Sequence, residues 1–391
     1  MSDQTTTASA VGSAALLDLI RRHGLRTRAE LIAATGLGRS TVGARLELLQ
    51  EQGLIRDGSN ATSTGGRPAA RFEFNAEARV ILAADVGASH ARVAITDLDA
   101  RPLAVRHSEL DIALGPEKVI AWVCEKGLEM LAEVGRGHDQ LAGVGIGLPG
   151  PVEHETGRPT SPPIMPGWHG ADVPGLVAET FPVPVLVDND VNIMALGEHA
   201  TTWPQVQHLM FVKVATGIGS GIISDGALNR GAQGAAGDLG HIRVTSATDA
   251  VCRCGNTGCL EAIASGPAVA AQLRSSGLDV AGTEDVVARV RGGDAAAAAA
   301  VRQAGRDLGD VLAGCVSLLN PSVIVVGGLL AEAGETLLAG VREAVYARSL
   351  PLATQHLSIV HSTTGIDAAV IGAGVLVAQH VLSPQALDVA G

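Results

Sequence analysis

The sequence predicts an α/β protein in two parts: a short helical head and a larger body made of two lobes. Two observations carry this prediction. Residues 13–52 place apolar side chains at helical spacing between glycines, and two segments of the body, 80–97 and 209–226, share one strand–turn–strand pattern. With 391 residues the chain is long enough for two or three domains and a substantial core.

The composition narrows the class of protein. Hydrophobic residues make up 47% of the chain but aromatic residues only 2%, so the core is expected to be mostly aliphatic. No uninterrupted apolar run approaches about 20 residues, which argues against a membrane span. Residues 1–10 form a polar tail that is expected to be disordered, and they lack the charged-then-apolar pattern of a leader. A cytoplasmic protein is therefore expected.

Residues 11–76 predict a small head of the winged helix-turn-helix type. One helix is expected over 13–23, where leucines share one side and a glycine follows. Thr27 and Glu30 have the spacing of a capping box, which starts a second helix. A third helix is expected over 39–52. Because a short glycine turn joins the last two helices, they match the helix-turn-helix arrangement.

The exposed residues early in the third helix are suited to DNA. They are Arg39, Ser40, Thr41, Ala44 and Arg45. Hydroxyl and guanidinium groups fit phosphates and base edges in a major groove. A polar hairpin follows, and its Gly-Gly-Arg-Pro tip presents Arg67, which fits a narrow minor groove. The alternatives are that this tip is an interdomain linker and that the helix pair is a plain packing unit.

Charge is distributed unevenly between head and body. Residues 1–75 contain nine arginines against seven acids, whereas the whole chain carries a net charge of −12. An acidic body argues against a protein that coats nucleic acid. The modest positive charge of the head predicts that one head binds DNA weakly, so that two heads must act together in a dimer.

The body contains a strand–turn–strand unit twice. In residues 80–97 and again in 209–226, a β-branched run is broken by a glycine turn that carries hydroxyls, and each unit closes on an aspartate-bearing turn. Turns of this kind offer backbone N–H groups to an anion, so two of them could face a nucleotide's phosphates across a cleft. A pair of ordinary hairpins would give the same pattern.

A cluster of cysteines predicts a metal site. Cys252, Cys254 and Cys259 lie in a glycine-rich turn, and His241 lies a short way upstream. Three thiols and one imidazole are the ligand set of a closed, structural zinc site. Five cysteines, three of them clustered, fit metal binding in a reducing compartment better than a disulfide framework.

Five segments of the body carry a resemblance to a known family. They are GIGLPGPV at 145–152, VDNDVN at 187–192, TGIGSG at 216–221, GDLGH at 237–241, and the cysteine cluster with Glu261. From about residue 80 onward the chain resembles the ROK family, which groups sugar-responsive repressors and sugar kinases. The resemblance implies the actin-like, hexokinase-type fold with duplicated ribonuclease-H-like lobes. A winged helix ahead of such a body is the architecture of the family's transcription factors.

The resemblance implies a sugar site. In the family's kinases an Asn-Asp pair lies beside the sugar, and the Asp is the general base toward the hydroxyl that is phosphorylated. By position, Asn189 would orient the sugar and Asp190 would be that base, a role that suits a carboxylate. Further sugar contacts are implied for Asp238, His241 and Glu261. The family ordinarily has Glu where this chain has Asp238, which is one methylene shorter.

His241 would serve both sites, with one ring nitrogen on zinc and the other toward the sugar. A metal-held imidazole is fixed in orientation, so its free edge is a reliable hydrogen-bond partner. Glu261 would add a bidentate acceptor for vicinal hydroxyls. For the acids of this set, a surface or structural role is the alternative. Trp168 either flanks the pocket with its aromatic face or anchors a buried loop.

The nucleotide contacts implied by the resemblance are partly altered. Those that would bind if kinase activity is retained are Gly87, Thr216, Gly217 and Gly219. The kinases' first phosphate loop reads Asp-x-Gly-Gly-Thr, whereas Ala88 here places a Cβ where phosphate needs close backbone approach. Leu329 replaces the third glycine of the later adenosine motif. These changes favour a sensor that keeps the sugar site and has lost phosphoryl transfer.

The expected organisation combines these parts. Residues 77–196 would form the first lobe, completed by a C-terminal helix at 368–382, and residues 197–367 would form the second lobe with the zinc site. The predicted function is a repressor, a dimer or dimer of dimers, that binds double-stranded operator DNA. A sugar or sugar phosphate would close the lobes and move the heads.

Two alternatives remain open at this stage. One is an active ATP-dependent sugar kinase that carries a DNA-binding head and uses Asp190 as its general base. The other is a regulator that answers to a protein partner instead of a sugar.

Overall fold

The computed structural model describes residues 12–24, 27–58, 70–244 and 249–387. The predicted disordered tail at 1–10, Arg67 and the glycine tip beside it lie outside these ranges. None of the helices within them has the length and apolar content needed to cross a membrane.

The head consists of three helices and a two-stranded antiparallel sheet. Its elements are α1 (Ser13–His23), α2 (Arg28–Thr35), α3 (Arg39–Glu51), β1 (Ile55–Asp57) and β2 (Phe72–Phe74). The predicted capping box is confirmed: Glu30 N–H donates to Thr27 Oγ1 at 3.2 Å, and Thr27 N–H donates to Glu30 Oε2 at 2.8 Å. Since β1 and β2 pair directly, they form the stem of the predicted hairpin.

The head is attached to the body by apolar and charged contacts. Leu16 of α1 is fully buried in a cluster that also contains Ile81 and Val377 of the body. Arg21 Nε donates to Asp99 Oδ1 at 2.8 Å, so an ion pair reinforces the same junction. Movement of the head against the body therefore requires these contacts to change.

The first lobe is a five-stranded sheet that is covered on both faces. Its strands are β3 (Val80–Val86), β4 (His90–Asp97), β5 (Pro102–Glu109), β6 (Leu141–Leu148) and β9 (Val185–Asn189), with the hairpin β7 (Val152–Glu153) and β8 (Arg158–Pro159) and the helices α4 (Pro116–Glu133) and α5 (Val173–Ala178). Along β3, Leu82 packs with Val123 of α4, whereas the next residue, Ala83, packs on the opposite face.

The second lobe repeats the topology of the first. Its strands are β10 (Leu209–Val214), β11 (Ile218–Ser224), β12 (Ala227–Asn229), β13 (Val323–Gly327) and β14 (Ser358–His361). The sheets have the orders β5-β4-β3-β6-β9 and β12-β11-β10-β13-β14, so corresponding strands hold corresponding places. In each sheet the early strands are antiparallel and the later ones pair in parallel. The duplicated α/β lobes predicted from the resemblance are therefore present.

Helices of the second lobe pack in its core, and the first of them follows the cysteine loop directly. They are α7 (Glu261–Ala264), α8 (Gly266–Ser275), α9 (Thr283–Arg291), α10 (Ala295–Leu319), α11 (Glu335–Arg348) and α12 (Pro351–Thr354). Short 3-10 helices lie at Ala76–Ala78, Ile112–Leu114, His138–Gln140, Leu329–Ala333 and Gly365–Asp367. The alanine-rich start of α10 packs into the core of this lobe, where Ala297, Val301 and Ala304 are buried.

Two long helices, α6 (Asp190–Thr202) and α13 (Ala368–Val381), cross between the lobes, and the short α14 (Pro384–Leu387) follows. A Cβ on Gly372 would overlap Ile193 O, and a Cβ on Gly197 would overlap Ala368 O. Each helix thus presents a glycine to a carbonyl of the other, one turn apart, which makes the two contacts reciprocal. Only glycine permits backbones to approach this closely.

The crossing explains how the lobes are joined. Helix α6 begins at the end of β9 in the first lobe and packs on β10 and β11 of the second. Helix α13 follows the second lobe and packs on β3 and β6 of the first. The boundary expected between residues 196 and 197 therefore falls inside a helix that contacts both lobes.

Candidate functional site

The turn from β9 into α6 places Asn189 and Asp190 at a helix N-terminus. Asn189 is the N-cap: its Oδ1 accepts a hydrogen bond of 2.9 Å from Val191 N–H, and its Nδ2 donates to Gly150 O at 2.9 Å. Asp190 is the first residue of the helix and is only 4% exposed. An anion is stabilised at this end of the helix dipole, so the carboxylate is both fixed and favoured as an acceptor.

Lys213 of β10 reaches Asp190 from the second lobe. Its Nζ donates to Asp190 Oδ2 at 2.5 Å. Lys213 was not among the predicted site residues. The signal that could have found it is a charged residue inside the apolar strand LMFVKV, since a lysine rarely enters such a strand without an acidic partner.

Asp188 precedes the same turn and is held by hydrogen bonds. It too was not among the predicted site residues. It is 3% exposed, and its carboxylate accepts hydrogen bonds from Asn192 Nδ2 at 2.7 Å and from Arg230 Nε at 2.7 Å. Arg230 follows β12, so this ion pair spans the two lobes. Burial, with Arg230 nearby, lowers the pKa of the adjacent His154. This group is therefore a second link between the lobes beside the predicted sugar residues.

Glu261 lies against the turn that joins β10 to β11. Its Oε2 accepts a hydrogen bond of 3.1 Å from Ile218 N–H, and a Cβ on Gly217 would come within 2.6 Å of that oxygen. Its own N–H donates to Gly240 O at 2.9 Å. The β10–β11 hairpin therefore contacts two of the predicted acids: Asp190 through Lys213, and Glu261 through Ile218.

His241 and Asp238 lie together at the edge of this group. His241 Nε2 is 3.9 Å from Asp238 Oδ1, and the side chain of Asp238 is 57% exposed. Asp238 is therefore the solvent-facing member of the predicted sugar residues. Trp168 is fully buried and donates from Nε1 to Ile112 O at 2.9 Å, so it anchors a loop and does not line a pocket.

The four predicted zinc ligands converge. Cys254 Sγ and Cys259 Sγ are 3.7 Å apart, and His241 Nδ1 is 3.7 Å from Cys252 Sγ. All four ligand atoms lie within 4.8 Å of one another. Zinc bonds of about 2.0–2.3 Å in a tetrahedron place ligand atoms about 3.5–3.8 Å apart, so the set fits a zinc ion.

The surroundings of Cys259 disfavour its thiolate form. Burial and the neighbouring thiols raise the pKa of Cys259 to about 12. A bound cation reverses this cost because it favours the thiolate. Nδ1 and the three sulfurs would hold the metal, which leaves Nε2 of His241 directed to Asp238.

The turns expected to contact a nucleotide are crowded by side chains. The ring of His90 lies so close to Gly87 that a Cβ there would overlap it, and Leu329 opens a 3-10 helix directly after Gly328. Glu261 occupies the space beside Gly217, Gly219 packs on Val191, and Thr216 remains exposed. Side chains thus lie beside Gly87, Gly217 and Gly219, and the ammonium group of Lys213 contacts Asp190.

Helix α3 presents the predicted DNA residues on one side. Arg39, Ser40, Thr41 and Ala44 are exposed, whereas the other side of the helix is buried through Val42, Leu46 and Leu49. Arg45 is half-buried, and its Nη1 has no hydrogen-bond partner among the described residues. The exposed row is therefore a polar surface supported by the core of the head.

Residues 81–380 match the family model described as "ROK family". The chain belongs to the ROK family. This ROK protein is 28% identical to the "Putative xylose repressor" of Caldicellulosiruptor sp. (strain Rt8B.4), over 94% of this chain and 95% of that protein. It is 34% identical to the "Glucokinase" of Halalkalibacterium halodurans, over 61% of this chain and 77% of that protein.

Among solved structures, one ROK family transcriptional regulator, described as a homolog of the E. coli MLC protein, has a TM-score of 0.84 at 24% identity. The alignment covers 96% of this chain and 97% of that chain. At this identity the likeness shows the fold, and its coverage includes the head as well as both lobes.

Proposed function

We propose that this protein is a transcriptional repressor that binds operator DNA through α3 and responds to a sugar between its lobes. One observation carries the proposal. The xylose repressor aligns over 94% of the chain, which includes the head, whereas the glucokinase aligns over 61%. The head thus has a counterpart in the putative xylose repressor, and its exposed Arg39, Ser40 and Thr41 suit a DNA backbone.

The sugar site is assigned to the residues around α6 and the β10–β11 hairpin. Asn189 and Asp190 would contact hydroxyls from the first lobe, and Glu261 and His241 from the second, with Asp238 at the rim. Carboxylates and amides of this kind bind a polyol by accepting and donating paired hydrogen bonds. Because the ligand would touch both lobes, it would favour one relative orientation of them over another.

Helix α13 gives this change a route to the head. The ligand residues begin α6, α6 crosses α13 at the two glycines, and Val377 of α13 is buried in the same cluster as Leu16 of the head. A shift of α6 would therefore move α13 and the surface on which the head rests. Such small helix shifts are a common form of allosteric change.

The proposal includes zinc and a dimer. Zinc held by His241, Cys252, Cys254 and Cys259 would fix the loop that carries His241 and precedes Glu261. Two heads would be needed because each carries little positive charge, and they would read half-sites about 34 Å apart. Xylose, which the name of one relative contains, is the first sugar to test, followed by other sugars and their phosphates.

The experiment measures DNA binding and ligand response together. DNA fragments selected from a random pool by the full-length protein would be labelled, and fluorescence anisotropy would follow their release by a panel of sugars and sugar phosphates. One sugar should release the DNA from wild-type protein, and Asn189→Ala should remove that response while leaving ligand-free DNA affinity intact. DNA affinity that no member of the panel changes would contradict the sugar-responsive function.

An active sugar kinase is the second candidate, favoured by the presence of Asp190 and by the 34% identity to a glucokinase. A coupled assay of ATP turnover with the same sugars tests it. Turnover that Asp190→Ala abolishes would establish the kinase, whereas the crowding of the nucleotide turns leads us to expect none.

A further inference from the structure

Lys213 is placed where its side chain has room to leave the second lobe. Its neighbours across both adjacent strands are glycines, Gly219 of β11 and Gly327 of β13. Directly opposed residues in a sheet share a face, so neither paired residue places a side chain beside the lysine. Its Nζ ends 2.5 Å from Asp190 Oδ2 in the helix that begins the crossing.

A second carboxylate belongs to the same region: Asp85 pairs with Gly147 of β6, and a Cβ on Gly147 would come within 3.5 Å of Asp190 Cα. Burial raises the pKa of Asp85, at the end of β3, to about 6; Lys213 acts to lower it and Asp190 to raise it. Burial acts to lower the pKa of Lys213, but Asp190 and Asp85 together hold it above its ordinary value. Asp85, Asp190 and Lys213 therefore form one interacting group, in which a single cation serves two carboxylates.

Two carboxylates that converge from different elements are a ligand set for a hard divalent cation. Here an ammonium group, which is a compact point charge, contacts one of these carboxylates. The other nearby guanidinium, that of Arg92, is directed to Asp367 at 2.5 Å. Lys213 is thus the cation that contacts Asp190 directly.

We propose that Lys213 is a resident cation that fills the position between Asp85 and Asp190, so that the cleft binds a neutral sugar without a divalent metal or a nucleotide. Its role is positioning: the salt bridge holds the Asp190 carboxylate as a hydrogen-bond acceptor toward the ligand. The identity of that ligand rests on the proposed function, whereas the exclusion of metal does not.

The test is manganese binding to the zinc-loaded, full-length protein, measured by electron paramagnetic resonance of free Mn²⁺. The wild type should take up no Mn²⁺ that depends on Asp190. Lys213→Met should bind Mn²⁺ at least about tenfold more tightly than the wild type does, because two carboxylates then lack a cation. The double variant Lys213→Met/Asp85→Asn should lose this tighter binding again. Lys118→Met, at an exposed lysine of α4, is the matched control and should behave as wild type.

Two results would overturn the proposal. One is a wild-type Mn²⁺ site that Asp190→Asn abolishes, a measurement that needs no Lys213 variant to fold. The other is a folded Lys213→Met protein that gains no Mn²⁺ site. Lys213→Arg keeps the charge and should exclude Mn²⁺ as wild type does. Because none of these readouts uses sugar or DNA, failure of the repressor function would leave the manganese result to stand on its own.

Sugar binding by the same variants tests the positioning role of Lys213. Once a releasing sugar is known, Lys213→Met should weaken its binding in metal-free buffer, and Mn²⁺ should restore part of the affinity by replacing the ammonium group. Unchanged sugar affinity in the folded variant would overturn the positioning role.

Discussion

The carboxylate of Glu198 in α6 accepts a hydrogen bond of 2.7 Å from Ser362 Oγ in the segment that follows β14. Glu198 has no exposed surface, and backbone N–H groups of Thr363 and Thr364 also donate to it, each at 3.3 Å. The helix that begins at the predicted sugar residues is therefore clamped, near its other end, to the chain that leads into α13.

Replacing Glu198 should destabilise the protein. Glu198→Ala leaves the half-buried Ser362 hydroxyl and two backbone N–H groups without their acceptor, and we expect a loss of about 1–3 kcal/mol in the free energy of unfolding. Urea denaturation followed by circular dichroism measures it. Glu125→Ala, at an exposed helical glutamate, is the control and should change stability by less than about 0.5 kcal/mol. Equal effects in both variants would contradict the clamp.

Alanine at the helix crossing should be costly. In Gly372→Ala the new Cβ would overlap Ile193 O, so α6 and α13 must separate, and we expect a loss of about 1–3 kcal/mol. Gly314→Ala is a matched control, because this glycine also lies within a helix, α10, and has no atom within 4 Å of the added Cβ. There alanine should stabilise the helix by about 0.5–1 kcal/mol. Thermal melts of the two variants should therefore shift in opposite directions.

Loss of a metal ligand should affect the ligand response before the DNA affinity. Cys254→Ser should lower the zinc content below one ion per chain, because the remaining three ligands bind more weakly. The loop with His241 and Glu261 would then loosen. Zinc is measured by mass spectrometry and DNA release by anisotropy, with Cys315→Ser as the control in α10. A zinc-free wild type with full sugar response would refute the arrangement.

Asp85 should make stability depend on pH between about 4 and 6. Burial raises its folded pKa from 3.8 to about 6, so the folded state holds a proton that the unfolded state releases, and stability falls as pH rises through this window. Asp85→Asn removes this term. We compare the free energy of unfolding of the variant with that of the wild type at each pH. This difference should favour the variant by up to about 3 kcal/mol more at pH 7.5 than at pH 4. A difference in melting temperature that is the same at both values would show that Asp85 does not titrate there.

Arg39 is expected to contact a DNA phosphate from the start of α3. Arg39→Ala should weaken binding by a similar factor on all DNA sequences and lower the slope of log affinity against log salt by about 1 per head. Anisotropy titrations between low and moderate salt measure the slope. Lys118→Ala, on the first lobe, removes an equal charge and should leave it unchanged. A loss confined to one DNA sequence would instead indicate a base contact.

Local sequence signals predicted the local structure well. The Thr27–Glu30 capping box, the glycines that end α1 and α2, and the cysteine spacing each depend on residues close in the chain, and all lie as expected. Lys213, Arg230 and Glu198 were missed because their roles depend on partners far along the chain. The residues near Glu198 in the sequence do not indicate that Ser362 is its partner. The two meet only because α6 packs against the second lobe.

The internal repeat also bears on how many effector molecules one subunit can hold. The ends of β9 and β14 are equivalent places in the two halves, yet the first ends in an Asn-Asp pair and the second in Ser362, Thr363 and Thr364. The hydroxyls of the second copy are engaged with Glu198 and with Thr201 and Thr202. The strand order is thus repeated but the chemistry at these two strand ends is not, and calorimetric titration should return a stoichiometry of one.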